Sequence, residues 1–274
     1  MDKRFAFGRN WQSFIDTVDE ERIGASIEGV RALLRRPHLH GLRFLDVGCG
    51  SGLSSLAARL MGATVMGFDY DSDSVTASEA LRARFAPDDS GWHIECGSAL
   101  DAAYMERLGQ FDVVYSWGVL HHTGNMTRAL DLAAARVAPG GLLAIAIYND
   151  QGRASRRWAR VKRAYVEGRA ATRIALLAAG TLRLWGPTVT RDLLAYADPT
   201  RSWRAYRRER GMSPWHDVVD WIGGWPFEVA TPGAIFDFYR ARGFELRGIK
   251  TCAGGIGCNE FLFLNADDGR RALE

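Results

Sequence analysis

A short glycine-rich run restricts the fold of this sequence more than any other feature. Residues 45–52 read LDVGCGSG, and they lie between an apolar segment at 42–47 and residues 53–60, whose apolar positions have helical spacing. This order predicts a strand, a tight turn and a helix. Glycines in such a turn can adopt positive φ angles and bring backbone N–H groups close to a ligand. The glycines of the turn are Gly48, Gly50 and Gly52.

The turn differs from the glycine fingerprint of dinucleotide-binding folds. That fingerprint would need a glycine at position 53, where this chain has Leu53. Asp46 also lies at the start of the turn, and its carboxylate would repel a pyrophosphate but attract a cation. The turn therefore favours a cationic ligand over a dinucleotide.

Strand and helix patterns alternate along most of the chain, which predicts an α/β fold with right-handed βαβ units and a parallel sheet. A helix is expected at 231–243, followed by two strands at 244–251 and 259–265 with a Gly-rich turn between them, which predicts a closing antiparallel pair. The five preceding strands are expected at 42–47, in a run ending at Asp69, within 92–101, at 111–117 and at 141–148.

The pattern D-x-G-x-G-x-G from Asp46 to Gly52 resembles motif I of the class I S-adenosylmethionine (AdoMet)-dependent methyltransferases. Asp69 after the second strand also matches that family. So does Pro139-Gly140-Gly141, which is expected to end a helix near 125–137 ahead of the fifth strand. The resemblance is closest to the small-molecule O-methyltransferases of the ubiquinone-biosynthesis type. It implies AdoMet as the cofactor and a Rossmann-like, mostly parallel sheet of seven strands with a helical insertion. The predicted divisions are a helical flap (1–40), an AdoMet-binding core (41–149), an Arg-rich helical lid (150–228) and the rest of the core (229–274).

The resemblance also implies a set of cofactor-binding residues at the strand ends. Asp69 would accept hydrogen bonds from the ribose hydroxyls, with a helix N-cap as the alternative role. Ser98 stands where the family commonly has an Asp that faces the adenine, with a simple turn as its alternative. Trp117 would form a wall beside the adenine or the methionine. The full predicted set is Asp46, Gly48, Cys49, Gly50, Gly52, Asp69, Tyr70, Ser98, Ala99 and Trp117.

Two adjacent histidines follow the fourth predicted strand. His121 and His122 are expected to face the methyl-transfer site, because ligands bind at the carboxyl ends of strands in open α/β sheets. Either could be the general base that removes a proton from a hydroxyl, or a structural histidine bonded to loop backbone. No metal site is expected, since no third ligand has suitable local spacing.

Residues 213–228, here called the lid segment, read SPWHDVVDWIGGWPFE and combine three tryptophans, a histidine and three acidic residues. Their position before the core resumes predicts a lid over the strand ends, in which His216 with Asp217 or Asp220 forms an oriented base. An aromatic plug with solvated polar groups is the alternative. The residues predicted to contact the substrate are Tyr148, Asn149, Trp215, Trp221 and Trp225.

Positive charge is concentrated in the predicted insertion. Residues 151–210 hold 15 Lys and Arg against 4 Asp and Glu, or +11, whereas the whole chain carries only +3. Apolar positions at helical spacing among these arginines favour peripheral contact with an anionic membrane, the alternative being a solvated charged face. Nucleic acid is a weaker alternative because no RNA-binding module is recognisable. Four cysteines without metal or disulfide spacing, and no apolar run of about 20 residues, favour a cytoplasmic, membrane-peripheral protein.

These observations predict an AdoMet-dependent methyltransferase that moves a methyl group to a small-molecule acceptor, with a hydroxyl favoured over nitrogen or carbon. Two other functions stay open: an RNA-modifying methyltransferase, and a protein that binds AdoMet without catalysis.

Overall fold

The computed structural model describes residues 4–210 and 214–266. The first three residues of the predicted flap, Ser213 of the lid segment and the last eight residues of the chain lie outside the described residues. Seven strands form one sheet: β1 (Arg43–Val47), β2 (Thr64–Asp69), β3 (Trp92–Cys96), β4 (Phe111–Trp117), β5 (Val137–Tyr148), β6 (Phe244–Lys250) and β7 (Cys258–Asn265).

The strand order across the sheet is β3-β2-β1-β4-β5-β7-β6. The pairs among β1 to β5 are parallel, and β7 runs antiparallel to both β5 and β6. The predicted Rossmann-like sheet with a closing antiparallel pair is therefore confirmed. Because the order reverses between β1 and β4, the carboxyl ends of these two strands flank a crevice, where ligands bind in open α/β sheets.

Eleven α-helices occur in the described residues. The first six precede β5: α1 (Phe7–Ile15), α2 (Glu20–Leu34), α3 (Leu53–Leu60), α4 (Ser72–Phe85), α5 (Ala102–Arg107) and α6 (Met126–Ala134). The remaining five follow it: α7 (Arg153–Glu167), α8 (Ala170–Tyr196), α9 (Arg201–Arg210), α10 (Pro214–Gly223) and α11 (Pro232–Arg240). A 3₁₀ turn spans Leu120–His122.

The sheet is buried on both faces, as a parallel sheet requires. Successive residues of β1 alternate between two apolar clusters, with Phe44 on one face of the sheet and Leu45 and Val47 on the other. Helices α7 to α10, here called the helical insertion, pack against one another. In addition, α10 contacts α1, and α9 contacts α2. The insertion thus lies beside the N-terminal helices.

One local prediction was wrong. Pro139-Gly140-Gly141 was expected to end the helix before the fifth strand, but α6 already ends at Ala134 and β5 begins at Val137. Phe111 pairs with Val137 and Val113 pairs with Leu142, so the strand contains an irregularity at this tripeptide. The extra residues are accommodated as a bulge, where Gly140 has a φ of 72°.

Candidate functional site

The glycine turn lies at the carboxyl end of β1 and is held by backbone bonds to β2. The N–H groups of Gly48 and Cys49 both donate to the carbonyl of Phe68, at 2.9 and 3.0 Å. Gly48 has a φ of 77°, and a Cβ on it would lie 2.3 Å from Cγ1 of Val119. Both its conformation and its surroundings therefore require glycine.

Asp69 ends β2 directly beside this turn. Its Oδ2 accepts from the Gly50 N–H at 3.0 Å, and its Oδ1 accepts from the Asp71 N–H at 2.9 Å. Burial raises the pKa of the Asp69 carboxyl to about 6, even though these hydrogen bonds oppose the rise. Each oxygen has a second lone pair, so the carboxylate can accept from a ligand as well.

The turn's other polar residues lie deeper in the protein. Asp46 is buried and accepts from the Ser55 hydroxyl at 2.6 Å, and burial raises its pKa to about 7. Cys49 is buried 3.5 Å from the Ser78 hydroxyl, and burial raises the pKa of its thiol well above the usual value. Asp46 and Cys49 still line the cavity described below, whereas Gly52 does not and instead begins α3.

The remaining predicted cofactor residues also line this cavity: Tyr70, Ser98, Ala99 and Trp117. The Ser98 hydroxyl accepts from the Leu100 N–H at 3.2 Å, so it stabilises a turn in this structure. Trp117 is 38% exposed and donates from its Nε1 to Glu260 at 3.4 Å. The guanidinium of Arg4 lies over the Tyr70 ring at 5.3 Å.

Helix α1 closes over the glycine turn. The Gly8 N–H donates to Asp71 at 2.9 Å, and a Cβ on Gly50 would lie 3.1 Å from Nε1 of Trp11. Trp11, which belongs to the predicted N-terminal flap, is a lining residue of the cavity. Its aromatic ring gives the turn an apolar cover, which suits a flat ligand.

One cavity of about 1480 Å³ extends from the glycine turn to the helical insertion. Ligand pockets commonly measure about 300–1,000 Å³, so this cavity has room for more than one small molecule. At the insertion end its walls include the rings of Tyr148, Trp221 and Trp225 and the carboxyl groups of Asp217 and Asp220.

The two adjacent histidines are placed differently. His121 is fully buried and is not a lining residue; its Nδ1 accepts from the Tyr148 N–H at 3.4 Å, and its Nε2 has no hydrogen-bond partner among the described residues. His122 lines the cavity, and its Nδ1 donates to the Pro226 carbonyl at 2.6 Å. Burial lowers the pKa of His121 well below its usual value and that of His122 to about 3. Both rings are therefore neutral at physiological pH.

The structure does not bring His216 to the cavity as the lid prediction expected. Its Nε2 lies 2.8 Å from the Ser13 hydroxyl, and its ring packs on Phe14, so it faces α1. Trp215 is 46% exposed and also lies outside the lining, whereas Asp217 lines the cavity and accepts from the Tyr206 hydroxyl. Consecutive residues of a helix differ by about 100° in direction, so Asp217 and Trp221, four positions apart, share a face toward the cavity, whereas His216 points toward α1.

Only some of the residues predicted to contact the substrate line the cavity. Tyr148, Trp221 and Trp225 line the cavity, but Asn149 does not. The Asn149 side chain accepts from Asn259 at 3.1 Å and donates to the Gly255 carbonyl at 3.3 Å. Because successive residues at a strand end point in opposite directions, only Tyr148 of this pair reaches the cavity.

Lys162 was missed as a site candidate, and Asp220 was considered only as a possible partner of His216. Lys162 is fully buried and donates to the backbone carbonyl of Trp221, and burial lowers its pKa to about 7. Asp220 accepts from the Asn10 amide at 2.8 Å, and burial together with the charge of Asp217 raises its pKa well above the usual value. One signal for Lys162 was available: it stands between Trp158 and Val166 at helical spacing, where an apolar residue is expected.

The described residues contain no group of three or more His, Cys, Asp or Glu side chains placed to hold a metal ion. None of the helices in this part of the chain is long and apolar enough to cross a membrane.

Comparison with known proteins identifies the family. A family model described as a methyltransferase domain matches residues 18–186, which is more than half of the chain, and the chain belongs to this family. The predicted resemblance is thereby confirmed, and membership supports AdoMet as the cofactor, as predicted. The fold and the glycine turn agree with this assignment.

Curated relatives match a smaller part of the chain. The ubiquinone biosynthesis O-methyltransferase of Brucella melitensis is 32% identical over 111 residues, which are 40% of this chain and 43% of the relative. The protein with the same name from Rhizobium rhizogenes is 36% identical over 113 residues, with the same two shares. The matched region thus spans less than half the length of these relatives.

Solved structures show the same fold at low identity. Magnesium protoporphyrin IX methyltransferase from Synechocystis with bound SAH superposes with a TM-score of 0.51 at 14% identity, covering 89% of this chain and 83% of that one. At this identity the likeness extends to the fold alone.

Proposed function

We propose that this protein is an AdoMet-dependent methyltransferase that methylates a hydroxyl group of a small aromatic molecule. The observation that carries this function is the single cavity that joins the glycine turn and Asp69 to the aromatic walls at the insertion end. A cofactor at the turn and an acceptor between the rings would share one enclosed space. The O-methyltransferase names of relatives that match 40% of the chain favour oxygen as the accepting atom.

The residues around the turn fit AdoMet. Asp69 has lone pairs free for ribose hydroxyls, and the backbone at Gly48 and Gly50 allows the close approach that the cofactor needs. Trp11 and Trp117 offer flat apolar walls, and Ser98 and Ala99 border the expected adenine position. Bound AdoMet supplies a methyl group that its own sulfonium charge activates.

The protein must then orient the acceptor, exclude water and take a proton from the hydroxyl. Asp220 is the proposed proton acceptor, because it lines the cavity and burial raises its pKa well above that of an exposed carboxyl, which makes its ionised form a stronger base. Asn10 donates to its Oδ1, which fixes the orientation of the carboxyl. His122, with a pKa of about 3, is a weaker base and is proposed to orient the acceptor through Nε2.

An acceptor screen tests this function. The purified chain is incubated with AdoMet carrying a radiolabelled methyl group and with separate sets of phenols, carboxylic acids, amines and transfer RNA. Label on phenols is the expected result. Label on RNA alone would support an RNA-modifying enzyme, and tight AdoMet binding without transfer to any set would support a non-catalytic AdoMet-binding protein.

We also propose that the outer face of α8 contacts an anionic membrane. Leu184, Trp185 and Thr188 of this helix line the cavity, whereas Ile174, Leu182 and Leu194 face outward and are 68%, 73% and 82% exposed. Arg183 is exposed among them, and the Arg201 guanidinium lies 3.9 Å from the centre of the Tyr196 ring. Exposed apolar side chains mixed with arginines are typical of surfaces that bind at anionic interfaces.

Vesicle flotation tests the membrane contact. The wild type is expected to float with phosphatidylglycerol vesicles and to remain free with phosphatidylcholine vesicles. Leu182→Ser combined with Leu194→Ser should reduce flotation at least about fivefold, because burial of two leucines is lost. The matched control is Leu60→Ser, which removes a leucine that is 54% exposed on α3. Equal flotation of the double variant and the control would contradict this surface.

A further inference from the structure

A lysine is buried at the junction between the helical insertion and the strand ends. Lys162 of α7 is fully inaccessible, and its Nζ donates to the Trp221 carbonyl. The same Nζ lies 4.4 Å from the Trp221 ring centre, 4.7 Å from that of Phe227 and 5.5 Å from that of Tyr148. Two of these rings, Tyr148 and Trp221, are walls of the acceptor end of the cavity.

The bonding of Lys162 explains how α10 is held. Trp221 lies in the last turn of α10, which ends at Gly223, and carbonyls in a last turn have no partner within the helix. An ammonium group at this end also interacts favourably with the helix dipole. Lys162 therefore joins α7 to the end of α10 and sets the position of the Trp221 ring against Tyr148.

A purely structural plug would not need a charge. Burying an ammonium costs several kcal/mol unless partners offset it, and methionine has a similar shape without that cost. Contacts with the faces of three aromatic rings offset part of the cost. The charge is therefore expected to act on something nearby.

Four titratable groups interact with the Lys162 charge. His121 and His122 of the 3₁₀ turn have their pKa values lowered by it, in addition to the larger effect of burial. The charge also lowers the pKa of Asp220 on α10, which partly offsets the increase caused by burial. In turn, the charges of Asp220 and of Cys258 on β7 raise the pKa of Lys162 and so favour its protonated form. The ammonium also lies over the aromatic ring of Tyr148 on β5.

We propose that Lys162 is a positioning residue of the acceptor site, which fixes Trp221 against Tyr148 and supplies a positive charge that acts on His122 and Asp220. Its part in methyl transfer rests on the function proposed above, whereas its effect on His122 is independent of any acceptor. No contact of Lys162 with the reacting atoms is required, because it acts through these neighbours.

Histidine titration by NMR tests the effect of the charge without an acceptor. In full-length Lys162→Met the midpoint of the His122 titration is expected to rise by about one pH unit, the usual size of the effect of a close like charge. Arg160→Met is the matched control, since it removes a positive charge from an exposed position of the same helix. A His122→Asn variant assigns the resonance. The same midpoint in wild type and Lys162→Met would overturn the electrostatic role.

Lys162→Gln separates the charge from the hydrogen bond and serves as well if the Met variant is too unstable to study. The glutamine amide can still donate to the Trp221 carbonyl, so the His122 midpoint should rise as in the Met variant while the melting temperature falls less. An unchanged His122 midpoint in the Gln variant would count against the charge as decisively as in the Met variant.

Turnover of an acceptor found in the screen supplies the second readout. The acidic limb of the kcat/KM profile should move to higher pH in both Lys162 variants and stay in place in Arg160→Met, with AdoMet affinity within about threefold of wild type. If the wild type is active and the acidic limb stays in place in both Lys162 variants, the positioning role alone would be overturned. An inactive wild type would instead count against the proposed function, and the His122 titration would still decide the effect of the charge.

Discussion

The two ends of the cavity are built in different ways. The cofactor end is made mainly from one continuous turn, residues 45–52, and from the residue that ends the next strand, Asp69. The acceptor end is assembled from side chains far apart in sequence, as the bond between Asn10 and Asp220 across 210 positions illustrates. Backbone conformation therefore determines the first end, and packing between helices determines the second.

Burial shifts the pKa values of buried carboxyls and of buried basic groups in opposite directions, and the acceptor end contains both kinds. At the cofactor end it raises the pKa of Asp46 to about 7 and that of Asp69 to about 6. At the acceptor end it lowers the pKa of Lys162 to about 7 and that of His122 to about 3. In both cases desolvation favours the neutral form.

The consequences for stability are also opposite. The two carboxyls have raised pKa values in the folded state, so their contribution to stability is largest at low pH and is lost as the pH rises to about 7. His122 has a lowered pKa, so its contribution increases as the pH rises from about 3 to its ordinary value near 6.5. Acidification thus stabilises the folded state through the buried carboxyls and destabilises it through the buried histidine.

The largest effect is expected from a side chain placed in the glycine turn. In Gly48→Ala the new methyl group would lie 2.3 Å from Val119 in a residue with a φ of 77°, so the turn must move. AdoMet affinity measured by calorimetry should fall at least about 100-fold, or about 2.7 kcal/mol.

Gly140→Ala is the matched control, because Gly140 has a φ of 72° but open space around its Cα. The alanine should lower the free energy of unfolding by about 1–2 kcal/mol, because it must adopt a left-handed conformation, and it should leave AdoMet affinity unchanged. Equal losses of affinity in the two variants would mean that the close approach at Gly48 is not what the cofactor needs.

The difference between the two ends also explains what the sequence could predict. A motif such as LDVGCGSG carries its own geometry, because the positive φ of Gly48, Gly50 and Gly52 depends on residue type and local spacing. The alternation of strands and helices predicted the parallel part of the sheet, but not the order of its strands. Asn149 and His216 were expected at the cavity since they belong to segments near it, but the rotation of a helix or strand about its axis is set by packing. Lys162 broke the apolar spacing of α7, yet its ring partners come from distant segments.

At the acceptor end, Asp220→Asn should have the largest effect on turnover. It removes the proposed proton acceptor while leaving an amide of the same shape, so kcat should fall about 100-fold. AdoMet affinity should change less than about threefold, because Asp220 belongs to the end formed by the insertion. Asp237→Asn, at an exposed position paired with Arg240, is the control and should retain full turnover. A parallel loss of AdoMet binding in Asp220→Asn would show that the two ends are not separable.

Asp69→Ala should affect the cofactor end with a smaller loss than Gly48→Ala. Removal of a charge-assisted acceptor should weaken AdoMet binding by about 1–3 kcal/mol. Asp101→Ala is the control, since this residue also accepts backbone bonds after a strand but is not a lining residue. The pKa of about 6 adds a second expectation. Wild-type affinity should weaken as the pH falls through 6, when the carboxylate becomes protonated, and calorimetry should show a flatter profile in Asp69→Ala.

The smallest effect is expected from His216, which the sequence placed at the centre of the lid segment. Because its ring bonds to Ser13 and packs on Phe14, His216→Ala should change turnover less than about threefold and cost about 1 kcal/mol of stability. Ser13→Ala removes the same hydrogen bond from the other side and should give a similar loss. If the two losses are not additive in the double variant, the bond between α1 and α10 is their common cause. If turnover is lost in His216→Ala while Ser13→Ala stays fully active, this histidine would instead act at the acceptor end of the cavity.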